Sequence, residues 1–277
     1  MGAIREEQGF VYVGGKRLRR GFTTGSCAAA ASKAAVQMLL SGSRVEYVDL
    51  VTPKGIPIHV PVEDISVSPD SVSCAVRKDG GDDADDTNGA LVYAKVSRKA
   101  SEGIEVDGGV GVGRVTRRGL DQPVGNAAIN RVPRSMIKEA VEDVCGAYGH
   151  TGGISVEISV PEGERIAERT FNSRLGIVGG ISILGTSGIV EPMSETALLG
   201  SIKAEMKVFM APGRRYLLTV PGNYGKDFLA SYPDLEGQQP VECSNFIGDF
   251  LDMAVELGGR ILDANSQLKV DVHKPEH

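Results

Sequence analysis

Residue types that usually indicate a metal site or a disulfide framework are scarce in this chain. Tryptophan is absent, and the 277 residues contain only four cysteines and four histidines. The cysteines (Cys27, Cys74, Cys145 and Cys243) are far apart and form no Cys-x-x-Cys pair, and the histidines have no metal-ligand spacing. The sequence therefore predicts neither structural zinc nor disulfides. We expect a cytoplasmic, reducing environment and no metal bound by protein side chains.

An excess of positive charge and long apolar runs are missing as well. The net charge is −6, so a nucleic acid is not expected as the main partner, because neutralising phosphates requires a positive surface. The N-terminus has no apolar segment typical of a secretory signal. The most apolar window, residues 175–190, is interrupted by Gly, Ser and Thr. We therefore expect no membrane span.

Glycine, in contrast, is abundant, with 36 residues in a chain that is 41% hydrophobic and 24% charged. This is the composition of an ordinary globular protein. The glycines occur in short runs without a collagen-like period. They predict tight turns and close backbone approaches, which suit ligand-binding loops.

The pattern of predicted elements changes near residue 172. Before it, short alternating strands follow one another with few helices, apart from an alanine-rich helix over residues 26–40. This pattern favours an α+β domain with a mixed sheet over residues 1–172. After it, strands alternate with helices, which favours a parallel, doubly wound sheet in residues 173–277. The sequence thus predicts an α+β N-terminal domain followed by a Rossmann-like α/β C-terminal domain.

The strongest local motif is GTSGIVEPMS, residues 185–194. It follows a predicted buried strand, residues 181–184, and precedes a predicted helix over residues 193–210. In open α/β sheets such turns bind ligands, because glycines allow close backbone approach and the helix N-terminus offers free N–H groups. The same motif can also be a structural strand–helix turn, since it is neither GxGxxG nor a Walker sequence.

A second turn, GFTTGSC at residues 21–27, leads into four consecutive alanines. Three hydroxyls and the free N–H groups of a helix N-terminus favour an anion there, while the alanines allow another backbone or a flat ligand to come close. The alternative is a Ser/Thr-capped helix packed tightly on a sheet. Cys27 fits a small buried hydrophobic position better than a nucleophile, because no histidine is near in sequence.

Charged residues are clustered despite the negative total. Basic groups are dense at residues 16–20 and 114–118 and at Arg131 with Arg134. Each can be an ordinary surface charge, but three clusters together favour a polycarboxylate site, because Arg binds carboxylates bidentately. The acidic segment DGGDDADDTNG, residues 79–89, is typical of a solvated turn and lacks the calcium-binding pattern of an EF-hand. If it lies near a substrate, one Asp can act as a base.

Taken together, these segments resemble the cobalt-precorrin-5B C(1)-methyltransferase family, the CbiD family. The resemblance lies, in order, in residues 20–31 (RGFTTGSCAAAA), 78–89 (KDGGDDADDTNG), 111–120 (GVGRVTRRGL), 126–134 (NAAINRVPR), 171–192 (FNSRLGIVGGISILGTSGIVEP) and 220–225 (VPGNYG). It implies transfer of a methyl group from S-adenosylmethionine to ring carbon 1 of a cobalt-corrinoid, which gives cobalt-precorrin-6A. Cobalt then belongs to the substrate. Residues 258–277 do not match the family pattern, so the C-terminal domain is expected to be short.

We place the methyl donor on the Rossmann-like side and the corrinoid on the α+β side. The predicted donor-binding residues are Gly185, Thr186, Ser187, Gly188, Glu191, Pro221, Gly222, Asn223 and Tyr224. The predicted corrinoid-binding residues are Arg20, Thr23, Thr24, Gly25, Ser26, Arg117 and Arg131. Asp82 or Asp83 is the candidate base.

Two other functions remain open from the sequence. A non-catalytic corrinoid-binding or carrier protein need not bind the donor, so donor titration separates it from the enzyme. A phosphate-handling α/β enzyme using the turn at residues 185–188 is disfavoured by the missing Lys. The sequence leaves the oligomeric state open, a homo-oligomer included.

Overall fold

The computed structural model describes residues 9–214, 216–222, 225, 227, 239–258, 260–263 and 269–270. The chain divides into two compact units. The first unit comprises Met1–Thr116 and Asp121–Met193, and the second comprises Arg117–Leu120 and Ser194–His277. Both units combine helices with strands, so the chain is a mixed α/β protein.

The regular elements of the described residues are short strands and a few longer helices. The helices are α1 (Thr24–Ser41), α2 (Arg131–Ala147), α3 (Gly163–Ala167), α4 (Asn172–Leu175), α5 (Glu195–Met210) and α6 (Ile247–Glu256). The strands are β1 (Phe10–Val13), β2 (Lys16–Arg19), β3 (Gly21–Phe22), β4 (Tyr47–Val51), β5 (Pro57–Pro61), β6 (Glu63–Val67), β7 (Ser71–Arg77), β8 (Leu91–Lys99), β9 (Ile104–Gly108), β10 (Gly111–Val112), β11 (Arg114–Val115), β12 (Gly153–Ser159), β13 (Ile177–Val178), β14 (Gly180–Ile181), β15 (Ile189–Val190), β16 (Tyr216–Val220), β17 (Val241–Glu242), β18 (Arg260–Asp263) and β19 (Lys269–Val270).

Helix α1 lies at the centre of the first unit. Thr23 caps its N-terminus by accepting a hydrogen bond from the Ser26 N–H, and Gly42 ends it with a left-handed φ of 69°. The four alanines at residues 28–31 are completely buried. The helix packs against α2 and against strands β4, β7 and β8. Small side chains are what allow neighbours to approach a helix on several sides at once.

The sheet beside α1 has five strands in the order β6-β7-β8-β12-β9. Neighbouring strands are antiparallel except β12 and β9, which run parallel. Alternate residues of β8 point inward, so Val92, Ala94 and Val96 are buried while Lys95 is exposed. The period-2 pattern of the sequence thus becomes one buried face against α1. The predicted mixed sheet is confirmed.

The boundary between the units differs from the predicted position at residue 172. Residues 173–193 belong to the first unit, because β13 pairs with β11, β14 with β10 and β15 with β3. The predicted strand at residues 181–184 is reduced to the end of β14 and an isolated bridge from Ile183 to Ile129. The apolar run therefore signalled burial correctly but assigned these residues to the wrong side of the boundary.

The second unit contains a four-stranded sheet in the order β17-β16-β18-β19. The central strand β16 runs parallel to both β17 and β18, and β19 is antiparallel to β18. Helix α5 begins at an N-cap, Ser194, whose hydroxyl accepts from the Ala197 N–H. The core joins one face each of α5 and α6 to the sheet through Met206, Leu217 and Phe250.

Candidate functional site

The N-terminal turn of α1 is held by the segment that contains the GTSG motif. The Thr23 N–H and the Ser26 hydroxyl both donate to the Gly188 carbonyl, at 3.0 and 2.7 Å. The Gly25 N–H donates to the Leu184 carbonyl at 3.0 Å. The Thr24 hydroxyl donates to that same carbonyl and accepts from the Leu184 N–H. These bonds join residues that are 160 to 162 positions apart in the sequence. The start of α1 and residues 184–188 therefore form one structure.

The two glycines of this turn are required by contacts within the protein. A Cβ on Gly185, whose φ is 128°, would lie 2.3 Å from the Thr23 hydroxyl oxygen. A Cβ on Gly188, whose φ is 77°, would lie 2.7 Å from the Thr52 Cβ. Within the protein, Gly185 thus makes room for Thr23, and Gly188 for Thr52 and Ser26. Ligand binding by these glycines stays a prediction.

The predicted helix after the motif is confirmed as α5, which begins directly after the N-cap Ser194, but the turn at residues 185–188 does not itself lead into that helix. Strand β15 (Ile189–Val190) intervenes and pairs antiparallel with β3 (Gly21–Phe22). Helix α5 begins only at Glu195, after Met193 with a positive φ of 58°. The helix N-terminus beside residues 184–188 is therefore that of α1. An isolated reading of residues 185–194 could not have found this, because the helix comes from the other end of the unit.

The acidic loop, residues 79–89, covers the start of α1 from another side. The Phe22 N–H donates to the Asp79 carbonyl at 2.9 Å. Arg19 and Asp82 exchange two bonds, since the Arg19 N–H donates to Asp82 Oδ2 and the Asp82 N–H donates to the Arg19 carbonyl. A Cβ on Gly21 or Gly81 would lie 2.3 Å from the opposite backbone. The backbone segments around Gly21 and Gly81 therefore lie so close together that neither position has room for a side chain.

Two of the carboxylates around this turn are already paired with cations. Arg19 binds Asp79 through two parallel hydrogen bonds of 2.5 and 2.8 Å. Burial raises the pKa of Asp79, but the hydrogen bonds from Arg19 and the Gly81 N–H outweigh it, and the pKa is lowered. Glu191 Oε1 lies 2.5 Å from Lys54 Nζ and 2.8 Å from an Arg20 guanidinium nitrogen.

The ion pair between Arg20 and Glu191 joins two residues that the sequence analysis had assigned to different ligands. Arg20 was predicted to bind corrinoid and Glu191 to bind the donor, but their side chains contact each other. The hydrogen bond from Lys54, with the charge of Arg20, holds the pKa of Glu191 below its ordinary value against the opposing effect of burial. Glu191 is therefore an anion that fixes two cations at the rim of the turn.

The candidate bases are brought to the same place. Asp82 is exposed and bonded to the Arg19 backbone, and Asp83 accepts a hydrogen bond of 3.1 Å from the Met193 N–H. Thr23, Thr24 and Ser26 are at most 6% exposed, whereas Thr186 is exposed. The hydroxyls of the turn are thus used in holding the loops together. The groups that face solvent, such as Asp82 and Thr186, belong to the loops that surround the turn.

The remaining predicted residues are distributed over both units. Arg131 is exposed at the first position of α2. Pro133, two residues further along the same helical turn, lies against Gly25. Arg117 belongs to the second unit. Pro221 and Gly222 directly follow β16, with Gly222 at a φ of 136°. Asn223 and Tyr224 lie outside the described residues.

Sequence reasoning missed three residues that hold the cluster together: Lys54, Arg19 as a partner of Asp79, and Lys78. Lys54 gave no signal, because it lies in a hairpin turn among exposed residues, yet its N–H donates to the Ser187 carbonyl. Lys78 is only 2% exposed and pairs with Asp85 at 2.7 Å. Its position directly before five aspartates was the available signal.

Several cations of the predicted basic clusters are paired with carboxylates of the protein. Besides Arg19 and Arg20, Arg114 binds both oxygens of Asp107 at 2.7 and 2.9 Å. The hydrogen bond from Arg114 lowers the pKa of Asp107 despite burial. Arg19, Arg20 and Arg114 therefore each have an internal carboxylate, and a ligand anion at these three cations must compete with it or share it.

Together, the fold and this cluster define a mixed α/β protein whose candidate site is formed by loops around the N-terminus of one buried helix. Comparisons with known proteins identify the group to which it belongs. The family model CbiD matches residues 11–192, which covers every loop of the cluster. The chain belongs to the CbiD family.

Two similar proteins carry the name cobalt-precorrin-5B C(1)-methyltransferase. The one from Ruminiclostridium cellulolyticum is 51% identical over 89% of this chain and 64% of its own length. The one from a Thermoanaerobacter species is 51% identical over 88% of this chain and 66% of its own length. The chain thus spans slightly less than two thirds of the length of these curated relatives.

A solved structure supports the fold. The crystal structure of the cobalamin biosynthesis protein cbiD from Archaeoglobus fulgidus is 29% identical, with a TM-score of 0.52 over 92% of this chain and 79% of that one. Within the described residues, no helix has the length and apolar character needed to cross a membrane. The same part of the chain brings no three His, Cys, Asp or Glu side chains together as metal ligands.

Proposed function

We propose that this chain acts in the methylation of ring carbon 1 of cobalt-precorrin-5B to cobalt-precorrin-6A, with S-adenosylmethionine as the methyl donor. One observation carries the proposal. Three separate segments that resemble the family, residues 20–31, 78–89 and 171–192, meet at the N-terminus of α1. The relatives that match these segments bear the name of that activity. We place the reaction in the cytoplasm.

The corrinoid is proposed to bind to the first unit. Its acetate and propionate groups are carboxylates, which Arg and Lys bind through charge-assisted hydrogen bonds. Arg20 and Lys54 lie together on one oxygen of Glu191, and Arg131 is exposed at the start of α2. The loop residues Thr186 and Ser187 flank the same turn. The predicted donor role of residues 185–188 is therefore better replaced by a place at the rim of the corrinoid site.

The donor is proposed to bind to the second unit, which we interpret as Rossmann-like. Strand β16 lies between β17 and β18, so the chain moves to one side of β16 and then crosses to the other through α6. In parallel sheets, ligands bind outside the carboxyl ends of strands at such a switch point. Pro221 and Gly222 follow the carboxyl end of β16. Among the described residues, no heavy atom would lie within 4 Å of a Cβ on Gly222, which favours a backbone that a ligand can approach.

The protein's part in this reaction is mainly alignment, because the donor, when bound, supplies an activated methyl group. Alignment and exclusion of water can contribute roughly 7–11 kcal/mol to lowering a barrier. The rigid pairing of Thr23 and Ser26 with Gly188 would fix the rim against which the corrinoid rests. Asp82 and Asp83 are the proposed acceptors of any proton that the ring gives up on methylation, because they are carboxylates at the edge of the turn.

The test is incubation of the protein with cobalt-precorrin-5B and S-adenosylmethionine, followed by mass spectrometry of the corrinoid. A gain of one methyl group, together with release of S-adenosylhomocysteine, supports the proposal. Corrinoid binding without donor binding in calorimetric titrations would instead identify a carrier. Binding of neither ligand to the folded chain would overturn the proposal.

A further inference from the structure

The acidic loop rests on an ion pair that is almost removed from water. Lys78 is 2% exposed, Asp85 is 19% exposed, and Lys78 Nζ lies 2.7 Å from Asp85 Oδ2. Backbone bonds from the Lys78 N–H to the Ala90 carbonyl and from the Gly89 N–H to the Lys78 carbonyl close the base of the loop around this pair. Burying two charges is costly, and apolar replacements of such pairs are often as stable. Stability alone therefore does not account for Lys78.

The buried thiol beneath the loop does not compete for the ammonium group. Burial raises the pKa of Cys27 to about 12, so the thiol stays protonated at neutral pH. Asp85 is the anion that pairs with Lys78. Burial raises the pKa of Asp85, but the charge of Lys78 and hydrogen bonds from Lys78 and Thr87 outweigh it, and the pKa is lowered.

The loop sorts its five aspartates into two groups. Asp79, Asp85 and Asp86 each contact a cation, which are Arg19, Lys78 and Arg169 respectively. Asp82 and Asp83 instead accept hydrogen bonds from backbone N–H groups, those of Arg19 and Met193. Without cations at three of the five positions, repulsion between like charges would spread the loop. Lys78 supplies the only cation that approaches from the buried side, among the contacts of the described residues.

Asp85, the acidic partner of Lys78, also organises the backbone of the loop. Asp85 Oδ1 accepts from both the N–H and the hydroxyl of Thr87. The Asn88 N–H donates to the Asp85 carbonyl, and Asn88 Oδ1 accepts from the Gly80 N–H. Fixing Asp85 therefore fixes the turn on both of its sides. Gly81 and Asp82 are then placed against Gly21 and Arg19.

We propose that Lys78 and Asp85 are positioning residues, which hold the acidic loop so that Asp82 and Asp83 are presented beside the N-terminus of α1. The pair acts through the loop and does not itself touch a ligand. The claim about loop geometry stands on the contacts described above. The claim that this geometry serves the reaction rests on the proposed function.

The test compares four proteins with the parent: Lys78→Met, Lys78→Arg, the double variant Lys78→Met/Asp85→Asn, and Arg165→Met as a control. Arg165 forms an exposed ion pair with Glu162 elsewhere in the first unit. Asn at position 85 keeps an acceptor for Thr87, so the double variant removes both charges without removing that turn. Hydrogen exchange of residues 79–89 is followed by mass spectrometry, and global stability is measured by urea unfolding.

We expect exchange in residues 79–89 to accelerate at least about tenfold in Lys78→Met, a change typical of losing a local structural contact. The double variant should recover most of the global stability, because no buried charge is left unpaired, but should keep the fast exchange. Lys78→Arg should restore protection in part. Arg165→Met should exchange like the parent. Parent-like protection in the double variant would overturn the proposal, even if Lys78→Met fails to fold.

A kinetic measurement separates positioning from a purely structural role. In the methyl-transfer assay, the double variant should lose at least about tenfold in kcat while the KM for the donor changes less than about twofold, the pattern of a lost transition-state contact. Equal effects on both constants would contradict positioning. If the parent transfers no methyl group, the proposed function fails, while the exchange experiment still decides the loop geometry.

Discussion

At the scale of single residues, Glu191 shows how the chain manages charge at its candidate site. One carboxylate oxygen lies within hydrogen-bonding distance of both Lys54 and Arg20. The three side chains are between 18% and 37% exposed, so water screens the pairs only in part. A substrate carboxylate that bound here would contact two cations whose side chains are already oriented, but it would compete with Glu191 for them.

Replacing Glu191 by Gln should make stability less dependent on pH. The folded-state pKa of Glu191 lies below its ordinary value of 4.5, so the pairs stabilise the fold above that pH, and this contribution is lost as pH falls through the folded-state pKa. For partly exposed pairs we expect a loss of about 1 kcal/mol in Glu191→Gln at neutral pH. Urea unfolding at neutral pH and at about pH 3 measures it. A difference between parent and variant that persists unchanged in acid would contradict the assignment.

Gly188 of the GTSG turn can be compared with Gly179, which lies outside it. Gly188 and Gly179 have left-handed φ angles of 77° and 82°, but a Cβ meets Thr52 and Ser26 at the first and nothing within 4 Å at the second. Gly179→Ala should therefore cost only the backbone strain, about 1 kcal/mol. Gly188→Ala should cost about 2 kcal/mol more through overpacking and should weaken corrinoid binding. Equal unfolding midpoints for the two variants would show that the close approach is unimportant.

At the scale of elements, α1 is the structure on which the site is built. Its alanines at residues 28–31 are fully buried, so any larger side chain there must push away a sheet or a helix. Ala30→Leu should destabilise the protein by about 1–3 kcal/mol in urea unfolding. Gly146→Ala, in α2 with open space around the new Cβ, should stabilise it by about 0.5–1 kcal/mol. Parent-like stability of Ala30→Leu would mean that α1 has free volume beside it.

The longer elements were predictable from the sequence, and the short pairings were not. The predicted helix at residues 26–40 is α1, and the predicted helix at residues 193–210 is α5, because periodicity and caps are local signals. Strands β10, β11, β13 and β15 have two residues each and exist only through partners far along the chain. The same reason explains the error at residue 172. The site residues were recognisable as motifs, but their mutual contacts, such as Arg20 with Glu191, depend on the tertiary fold.

At the scale of the whole molecule, a chain with a net charge of −6 would have to accommodate the proposed corrinoid, which is rich in carboxylates. Many basic side chains already contact acidic ones, so attraction at long range should be weak. Binding should then depend on short contacts at a few places. Arg131 is one candidate, because it is exposed close to the turn where Pro133 meets Gly25.

Arg131→Ala should weaken corrinoid binding by about tenfold, since a charge-assisted hydrogen bond contributes about 1.5 kcal/mol or more, and should leave donor binding unchanged. Corrinoid binding by the parent should weaken as salt rises. Arg44→Ala is the control, because it removes the same charge past the far end of α1, about 27 Å away for a helix of this length. Calorimetric titrations with each ligand measure the effects. Equal losses in both arginine variants would indicate only a general effect of charge.

The hydrogen bond between Ser26 and Gly188 spans 162 positions, which limits when it can form in the nascent chain. Ribosomes add roughly 5–20 residues per second, so the start of α1 waits on the order of ten seconds before its partner is made. Contacts of such long range form late in folding. A corrinoid that bound at the proposed site would therefore not guide the early folding of this chain. It would stabilise only molecules whose synthesis has passed Gly188.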